Sequence, residues 1–361
     1  GEIGIVASGI GYAHAREAFP DASFLKLGIV YPLPARRIRD FAASVKRLFV
    51  VEEGDSFLEE QILALGIPVE RPARSLRIGE LDPDRLAALA AEVSGKGAPP
   101  LPEPIRGLPP RPPVLCPGCS HRGVFHGLHR LRATVTGDIG CYSLGAFPPL
   151  SAMDTVVCMG ASVTAAHGME KAGLEGRLAA VIGDSTFFHS GITGLLNMVY
   201  NRSRGTVVVL DNGTTAMTGH QEHPGTGRTL EGRETPRVAI EDVARGLGVK
   251  RVRVVDPYDL DATYAALKEE MEAPEPSVVV CRRPCVLGAR VRIERRYEID
   301  ADVCSGCGAC LRLGCPAIET SDDLAPKTGR PKARINAVLC TGCGLCVQVC
   351  GEDAVRDEER P

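Results

Sequence analysis

The stretch AAVIGDSTFFHSGITGLLN, Ala179 to Asn197, decides the fold. An apolar run, Leu178–Ile182, ends in Gly183-Asp184-Ser185, and a helical pattern starts directly after it. Strand, glycine turn and helix in that order make one unit of a parallel α/β sheet. No lysine follows the glycine, so this is not a Walker A phosphate loop. Downstream, a second strand, TVVVL, ends in Asp211-Asn212-Gly213-Thr214, which puts Asn212 28 residues after Asp184. That is about one strand–helix–strand crossover, so both groups fall at carboxyl ends of parallel strands, where such sheets bind ligands. A carboxylate, an amide oxygen and a backbone carbonyl are hard ligands that suit Mg²⁺. The helix N-terminus after Ser185 adds amide donors for a diphosphate. The plain alternative is an ordinary turn with a surface Asp and Asn.

The surrounding composition sets bounds. The chain has 361 residues, 44% hydrophobic and 24% charged, with a formal net charge of -3. That suits a soluble protein of two or three domains and gives no sign of nucleic-acid binding. No run of 18 apolar residues exists, and the first residues, GEIGIVASGIGYAHAREAF, lack a basic signal-peptide region. A start at Gly with an immediate strand reads as a fragment or a processed chain. Fourteen cysteines sit at two- and three-residue gaps, which favours metal or Fe–S ligation in a reducing, cytoplasmic compartment over disulfides.

Residues 1–95 alternate strands (IGIVAS, SFLKLG, RLFVVEE) with helices (SFLEEQILALG, DPDRLAALAAEV), a small α/β domain with a mostly parallel sheet. Residues 96–113 belong to a proline-rich linker. Residues 114–290 form a second α/β domain, with strands expected at DTVVCM, LAAVIG, TVVVLDN and PSVVVCR. From residue 291 to 361 the texture is Cys-rich, and IDADVCSGCGACLRLGC realigns with INAVLCTGCGLCVQVC after 36 residues.

The first copy reads Cys304-x2-Cys307-x2-Cys310-x4-Cys315-Pro316 and the second Cys340-x2-Cys343-x2-Cys346-x3-Cys350. This is the two-cluster ferredoxin pattern, in which each fourth thiolate ligates the other cluster. Cys304, Cys307, Cys310 and Cys350 are assigned to one [4Fe–4S] cluster, and Cys340, Cys343, Cys346 and Cys315 to the other. Gly306, Gly308, Gly342 and Gly344 let the backbone wrap the cubes. Zinc knuckles would need two pairs of ligands, not two triplets and two crossed singles. The tail therefore moves single electrons.

The Gly183-Asp184-Ser185…Asn212 pattern resembles the thiamine diphosphate motif. By that resemblance Mg²⁺ is held by the side chains of Asp184 and Asn212 and the carbonyl of Thr214. Thiamine diphosphate coupled to Fe–S clusters defines the 2-oxoacid:ferredoxin oxidoreductases. The strings CPGCSHRGVF, GDIGCYSLGAFPPL, VVCMGASV, VIGDSTFFHSGI and LDNGTTAMTGHQEHPGTG resemble the large (alpha) subunits of the indolepyruvate type of that family. The resemblance implies two doubly wound parallel-sheet domains, one transketolase-C-terminal-like and one thiamine diphosphate-binding, plus a small α+β two-cluster ferredoxin domain. It also implies oxidative decarboxylation of an arylpyruvate with coenzyme A to aryl-acetyl-CoA and CO₂, electrons leaving through the clusters to external ferredoxin. Implied partners are a smaller (beta) subunit and a pyrimidine-binding domain, in cis or in trans, that carries the activating glutamate. Glu52 and Glu53 lie in the wrong domain to replace it. Pyruvate or 2-oxoglutarate as substrate, and a non-catalytic electron-transfer subunit, are the competing readings.

Related oxidoreductases hold a third [4Fe–4S] cluster in the thiamine domain, and Cys116, Cys119, Cys141 and Cys285 have the matching order, with Cys281 as rival for the last. Buried, inert thiols are the alternative. Cys281 and Cys158 read most simply as core. Of His121, His189, His220 and His223, each could be a solvated loop residue; His189 and His220 are favoured as ligands to diphosphate or substrate carboxylate because each follows a motif strand end. Thr218, Gly219 and Gln221 share that loop and are expected to line the cofactor.

Overall fold

A computed structural model of the chain describes residues 1–71, 79–95, 103, 105–288 and 295–357. It divides into two compact units, Gly1–Pro110 and Arg111–Pro361.

The first unit alternates β1 (Ile3–Ser8), α1 (Gly9–Ala18), β2 (Ser23–Leu27), α2 (Ala35–Ala43), β3 (Arg47–Val51), α3 (Phe57–Ala64) and α4 (Pro83–Val93). Its parallel sheet has the order β2-β1-β3. Ile5, Ala7, Phe49 and Val51 pack on one face with Leu86 and Leu89, and Val6, Leu48 and Val50 on the other with Ile38, Leu58 and Ile62. Helix α4 starts where the sequence says it should: Asp82 accepts from the Arg85 N–H at 2.7 Å and Pro83 fills the first helical position.

The second unit opens with α5 (His121–Leu131), β4 (Thr134–Gly137), β5 (Thr155–Val156), α6 (Ala161–Lys171) and β6 (Leu178–Gly183). It continues with α7 (Ile192–Tyr200), β7 (Gly205–Asp211), α8 (Ile240–Gly246), β8 (Arg251–Val255), α9 (Leu260–Met271) and β9 (Pro276–Arg282). The six strands form one parallel sheet, ordered β5-β4-β6-β7-β9-β8. Every residue of β6 and β7 is buried. Helices cover both faces, which is why these strands read as unbroken apolar runs. Ala179, Val181, Val208 and Leu210 pack toward α5 and α9; Ala180, Ile182, Val207 and Val209 pack toward α6, α7 and α8.

Two expectations change. The strand expected at DTVVCM shrinks to Thr155–Val156, and Cys158 is exposed instead of in the core. The chain has already turned there: the Cys158 carbonyl accepts from the Ala161 N–H at 3.0 Å at the entry to α6. Strands β4 and β8 were missed. In β8 Arg251 and Arg253 both pair with Glu270 of α9, so charges interrupt the valines of this edge strand and no unbroken apolar run marks it.

Helix α5 meets α9 through glycine. A Cβ on Gly123 would stand 2.0 Å from the Pro257 carbonyl oxygen, and backbone cannot yield cheaply. Gly123→Ala is expected to cost about 1–3 kcal/mol, the usual range for overpacking, and to lower the midpoint in differential scanning calorimetry.

The Cys-rich segment adds β10 (Tyr297–Ile299), β11 (Ile318–Leu324), β12 (Pro331–Ile335), α10 (Leu345–Gln348) and β13 (Val355–Asp357). Strand β10 pairs antiparallel with β13, and β11 with β12. Gln348 binds this segment to the six-stranded sheet domain, accepting from the Leu260 N–H and donating to the Tyr258 carbonyl, at 2.9 and 2.7 Å. Among the described residues no helix is long and apolar enough to cross a membrane.

Candidate functional site

The sheet order reverses between β4 and β6, because the chain runs outward to β5 on one side and to β7 on the other. Ligands of open α/β sheets bind at that switch point. A cavity of about 740 Å³ of empty space opens there, lined by the loops that follow β4 (Ile139 to Tyr142), β6 (Asp184 to Thr186) and β7 (Asn212, Thr214 to Thr218).

Two backbone donors hold Asp184, and a buried histidine lies beside it. Its Oδ1 accepts from the Ser185 N–H at 2.7 Å and its Oδ2 from the Gly213 N–H at 2.8 Å. Oδ2 also lies 3.2 Å from His223 Nε2, both side chains being buried. The Gly225 N–H donates to His223 Nδ1 at 3.1 Å, so the ring proton sits on Nε2 and faces the carboxylate. Asn212 Oδ1 accepts from the Thr214 N–H at 3.2 Å, and its Nδ2 stands 3.5 Å from His121 Nε2. Burial pushes the His121 pKa down to about 4, so the ring is neutral and accepts. The carboxylate and amide at the ends of β6 and β7, with Thr214 beside them, are hard donors converging on one cavity, which fits Mg²⁺ and a diphosphate.

Sequence reasoning missed the opposite wall. Asp138, fully buried at the end of β4, accepts from the Tyr142 hydroxyl, from the Gly160 N–H at 2.9 Å and from Ser162 Oγ at 3.1 Å. Burial raises its pKa, and these donors oppose the rise. Tyr142 is thereby fixed edge-on to His121, centroids 6.1 Å apart, and leaves no room for a Cβ on Gly183, which would lie 2.9 Å from its ring.

The loop residues separate. Thr218 lines the cavity, whereas Gly219, His220 and Gln221 are exposed and do not. The Gln221 amide turns back to donate to the Thr218 carbonyl at 2.6 Å. His189 is exposed and bonded to Ser190. The histidines brought to Asp184 and Asn212 are His223 and His121, the two ranked lower from sequence. Asp211 points away from the cavity and pairs with Arg282 at 2.6 Å, which also grips Glu241.

The tail cysteines surround two cavities. One, with about 400 Å³ of empty space, is lined by Cys304, Cys307, Cys310 and Cys350; the other, with about 390 Å³, by Cys315, Cys340, Cys343 and Cys346. The crossing has a topological cause. Pairing of β10 with β13 carries Cys350 to the Cys304 loop, and pairing of β11 with β12 carries Cys315 to the Cys340 loop. The equivalent glycines Gly306 and Gly342 have φ of +67° and +71°, and a Cβ on either would meet a backbone carbonyl within 3 Å. The cavities, the left-handed loops and the all-sulfur donor sets fit cubane clusters.

In the six-stranded sheet domain, burial raises the Cys141 thiol pKa, with Cys285 and Cys116 adding to the rise, and pushes that of Cys119 up to about 12, with Cys116 and Cys141 adding to it. Cys281 lies apart in the core of β9, its pKa raised by burial alone. Cys141 also lines the cavity that holds Asp184.

In the first unit, Glu52 accepts from the N–H groups of Leu58 and Glu59 at 2.6 and 3.0 Å, and Glu53 from the Leu81 N–H at 2.8 Å. Both carboxylates tie down backbone.

Comparison with known proteins identifies two family matches along the chain. Residues 138–281 match the C-terminal TPP binding domain of thiamine pyrophosphate enzymes, and residues 296–351 a 4Fe-4S dicluster domain. The chain is 39% identical to indolepyruvate oxidoreductase subunit IorA of Pyrococcus abyssi, over 98% of this chain and 60% of that protein. It is 38% identical to IorA of Thermococcus kodakarensis, over 98% and 60%, and 36% identical to IorA of Methanothermobacter thermautotrophicus, over 89% and 55%. The chain thus spans about three fifths of the length of the curated relatives it matches. The resemblance read from the motif strings is borne out by these matches.

Proposed function

Since 98% of the chain matches three fifths of an IorA subunit, we propose that it is the diphosphate-gripping and electron-output part of an indolepyruvate-type 2-oxoacid:ferredoxin oxidoreductase. The reaction is oxidative decarboxylation of an arylpyruvate with coenzyme A, giving aryl-acetyl-CoA and CO₂. One observation carries the reading: the cavity that presents Asp184, Asn212 and Thr214 also presents Cys141, which stands among Cys116, Cys119 and Cys285. The presence of Cys141 in that wall supports reading the four thiols as the point where electrons leave the cofactor site.

When bound, thiamine diphosphate supplies a nucleophilic carbon and an electron sink. The chain's residues do the rest. Asp184, Asn212 and the Thr214 carbonyl hold Mg²⁺. His223 keeps the Asp184 carboxylate aimed, and Asp138 locks Tyr142 against the pocket wall. Cys116, Cys119, Cys141 and Cys285 hold a first cluster, and the two tail sets hold the others, so that a two-electron donor feeds a one-electron acceptor stepwise. The thiamine domain of residues 114–290, the ferredoxin domain of 291–361 and a transketolase-C-terminal-like domain of 1–95 divide these tasks. A smaller subunit, external ferredoxin and a pyrimidine-binding domain with its glutamate, in cis or in trans, complete the enzyme.

The test is viologen reduction by the protein purified with its partner subunits, across several 2-oxoacids with coenzyme A. Arylpyruvates should be preferred; preference for pyruvate or 2-oxoglutarate would reassign the substrate, and no reduction with any would leave only electron transfer. Anaerobically prepared protein should carry about twelve iron atoms, four per cubane. About eight would return Cys116, Cys119, Cys141 and Cys285 to plain thiols.

A further inference from the structure

Arg122, in the first turn of α5, is 1% exposed and the largest fully buried side chain of the described residues. Its guanidinium donates to three carbonyls: Leu313 at 2.5 Å from Nη1, and Leu115 and Cys116 at 2.9 and 3.1 Å from Nη2. Nε has no hydrogen-bond partner, and among the described residues no carboxylate pairs with the group. Arginine does not lose its proton in proteins. A buried charge without a counter-charge is strongly unfavourable, so an anion beside the group would stabilise it.

The placement says which anion. Arg122 lines the cavity framed by Cys315, Cys340, Cys343 and Cys346. Its carbonyl partners belong to the Cys116 segment on one side and to Leu313, two residues before Cys315, on the other.

We propose that Arg122 is a positioning residue that serves as a shared counter-cation for two neighbouring clusters, those of Cys116/Cys119/Cys141/Cys285 and of Cys315/Cys340/Cys343/Cys346. Resting on the iron–sulfur reading above, it goes further by assigning control of the electron path to one residue. Each cluster takes up one electron and no proton on reduction, which adds negative charge. A fixed positive charge stabilises the reduced form, and cluster potential responds to local charge in this way. An electron crossing from the first cluster to the second moves past a cation that favours its presence on both sides. The set of Cys304, Cys307, Cys310 and Cys350 lies round another cavity, which Arg122 does not line.

The experiment is an anaerobic redox titration followed by EPR on the whole chain with its clusters, comparing wild type with Arg122→Gln, Arg122→Met and Arg122→Lys, with iron measured in each. In the neutral variants two cluster midpoints should fall by at least tenfold in reduction equilibrium, which is 59 mV for one electron, while the third stays. Arg122→Lys should restore most of the shift. Full iron content with all midpoints unmoved would make Arg122 a structural clamp and overturn the proposal. A uniform shift of all three, in the lysine variant too, would also overturn it, because charge would not be the cause. A wild-type count of about eight iron atoms would instead remove the first cluster itself, a failure of the underlying reading visible before any variant is made.

Discussion

Asp184→Asn should abolish Mg²⁺-dependent thiamine diphosphate binding while leaving the protein folded and its clusters intact. The substitution keeps the side chain's shape and an oxygen to accept from the Gly213 N–H, so the tie between the loops after β6 and β7 is preserved, while the Ser185 N–H loses its acceptor. What it removes is the only carboxylate among the three proposed ligands. A hard divalent cation loses its one anionic partner there. Loss of an outer partner of a metal site costs about 10–100-fold in affinity, and loss of the ligand itself should cost more. His223→Ala supplies the comparison. His223 touches Asp184 and does not line the cavity, so its removal should fall within that 10–100-fold range. Calorimetric titration of thiamine diphosphate with and without Mg²⁺ gives both numbers, and the visible spectrum of the clusters serves as the control. Unchanged affinity in Asp184→Asn would reduce the motif to a surface turn.

The contrast between Asp184 and His223 shows where the sequence was readable. Asp184 and Asn212 each sit directly at the end of a fully buried strand, and a parallel sheet fixes where strand ends go. Their meeting could be read from spacing alone. His223 reaches Asp184 only through a loop, and what turns its ring inward is the bond from the Gly225 N–H and the turn closed by Thr226. His220, three residues earlier, has φ of +64° and points out. Nothing in residue type separates the two. Asp138 was hidden for a related reason: β4 has four residues and too few apolar positions to announce itself, so the group at its end was not recognised as facing the pocket. The arginines alternating with valines in β8 hid that strand in the same way. The tail was the most legible part, because its ligand spacing is local and the repeat says which elements must pair.

That legibility can be tested at the crossed ligands, where local spacing and three-dimensional structure disagree. By sequence distance Cys350 belongs with Cys340, Cys343 and Cys346; by cavity it belongs with Cys304, Cys307 and Cys310. Strand pairing argues for the cavity, since Ile299 pairs with Val355 and draws the end of the second repeat to the start of the first. Cys350→Ala and Cys304→Ala should each lower the iron content from about twelve to about eight. The double variant then decides between the arrangements, because effects add only when two changes act on separate sites. If both cysteines hold the same cluster, the second substitution costs nothing more and the double variant stays at about eight. If each served its own triplet, two clusters would be lost and about four iron atoms would remain. We expect about eight in the double variant, and the reciprocal result for Cys315→Ala combined with Cys340→Ala.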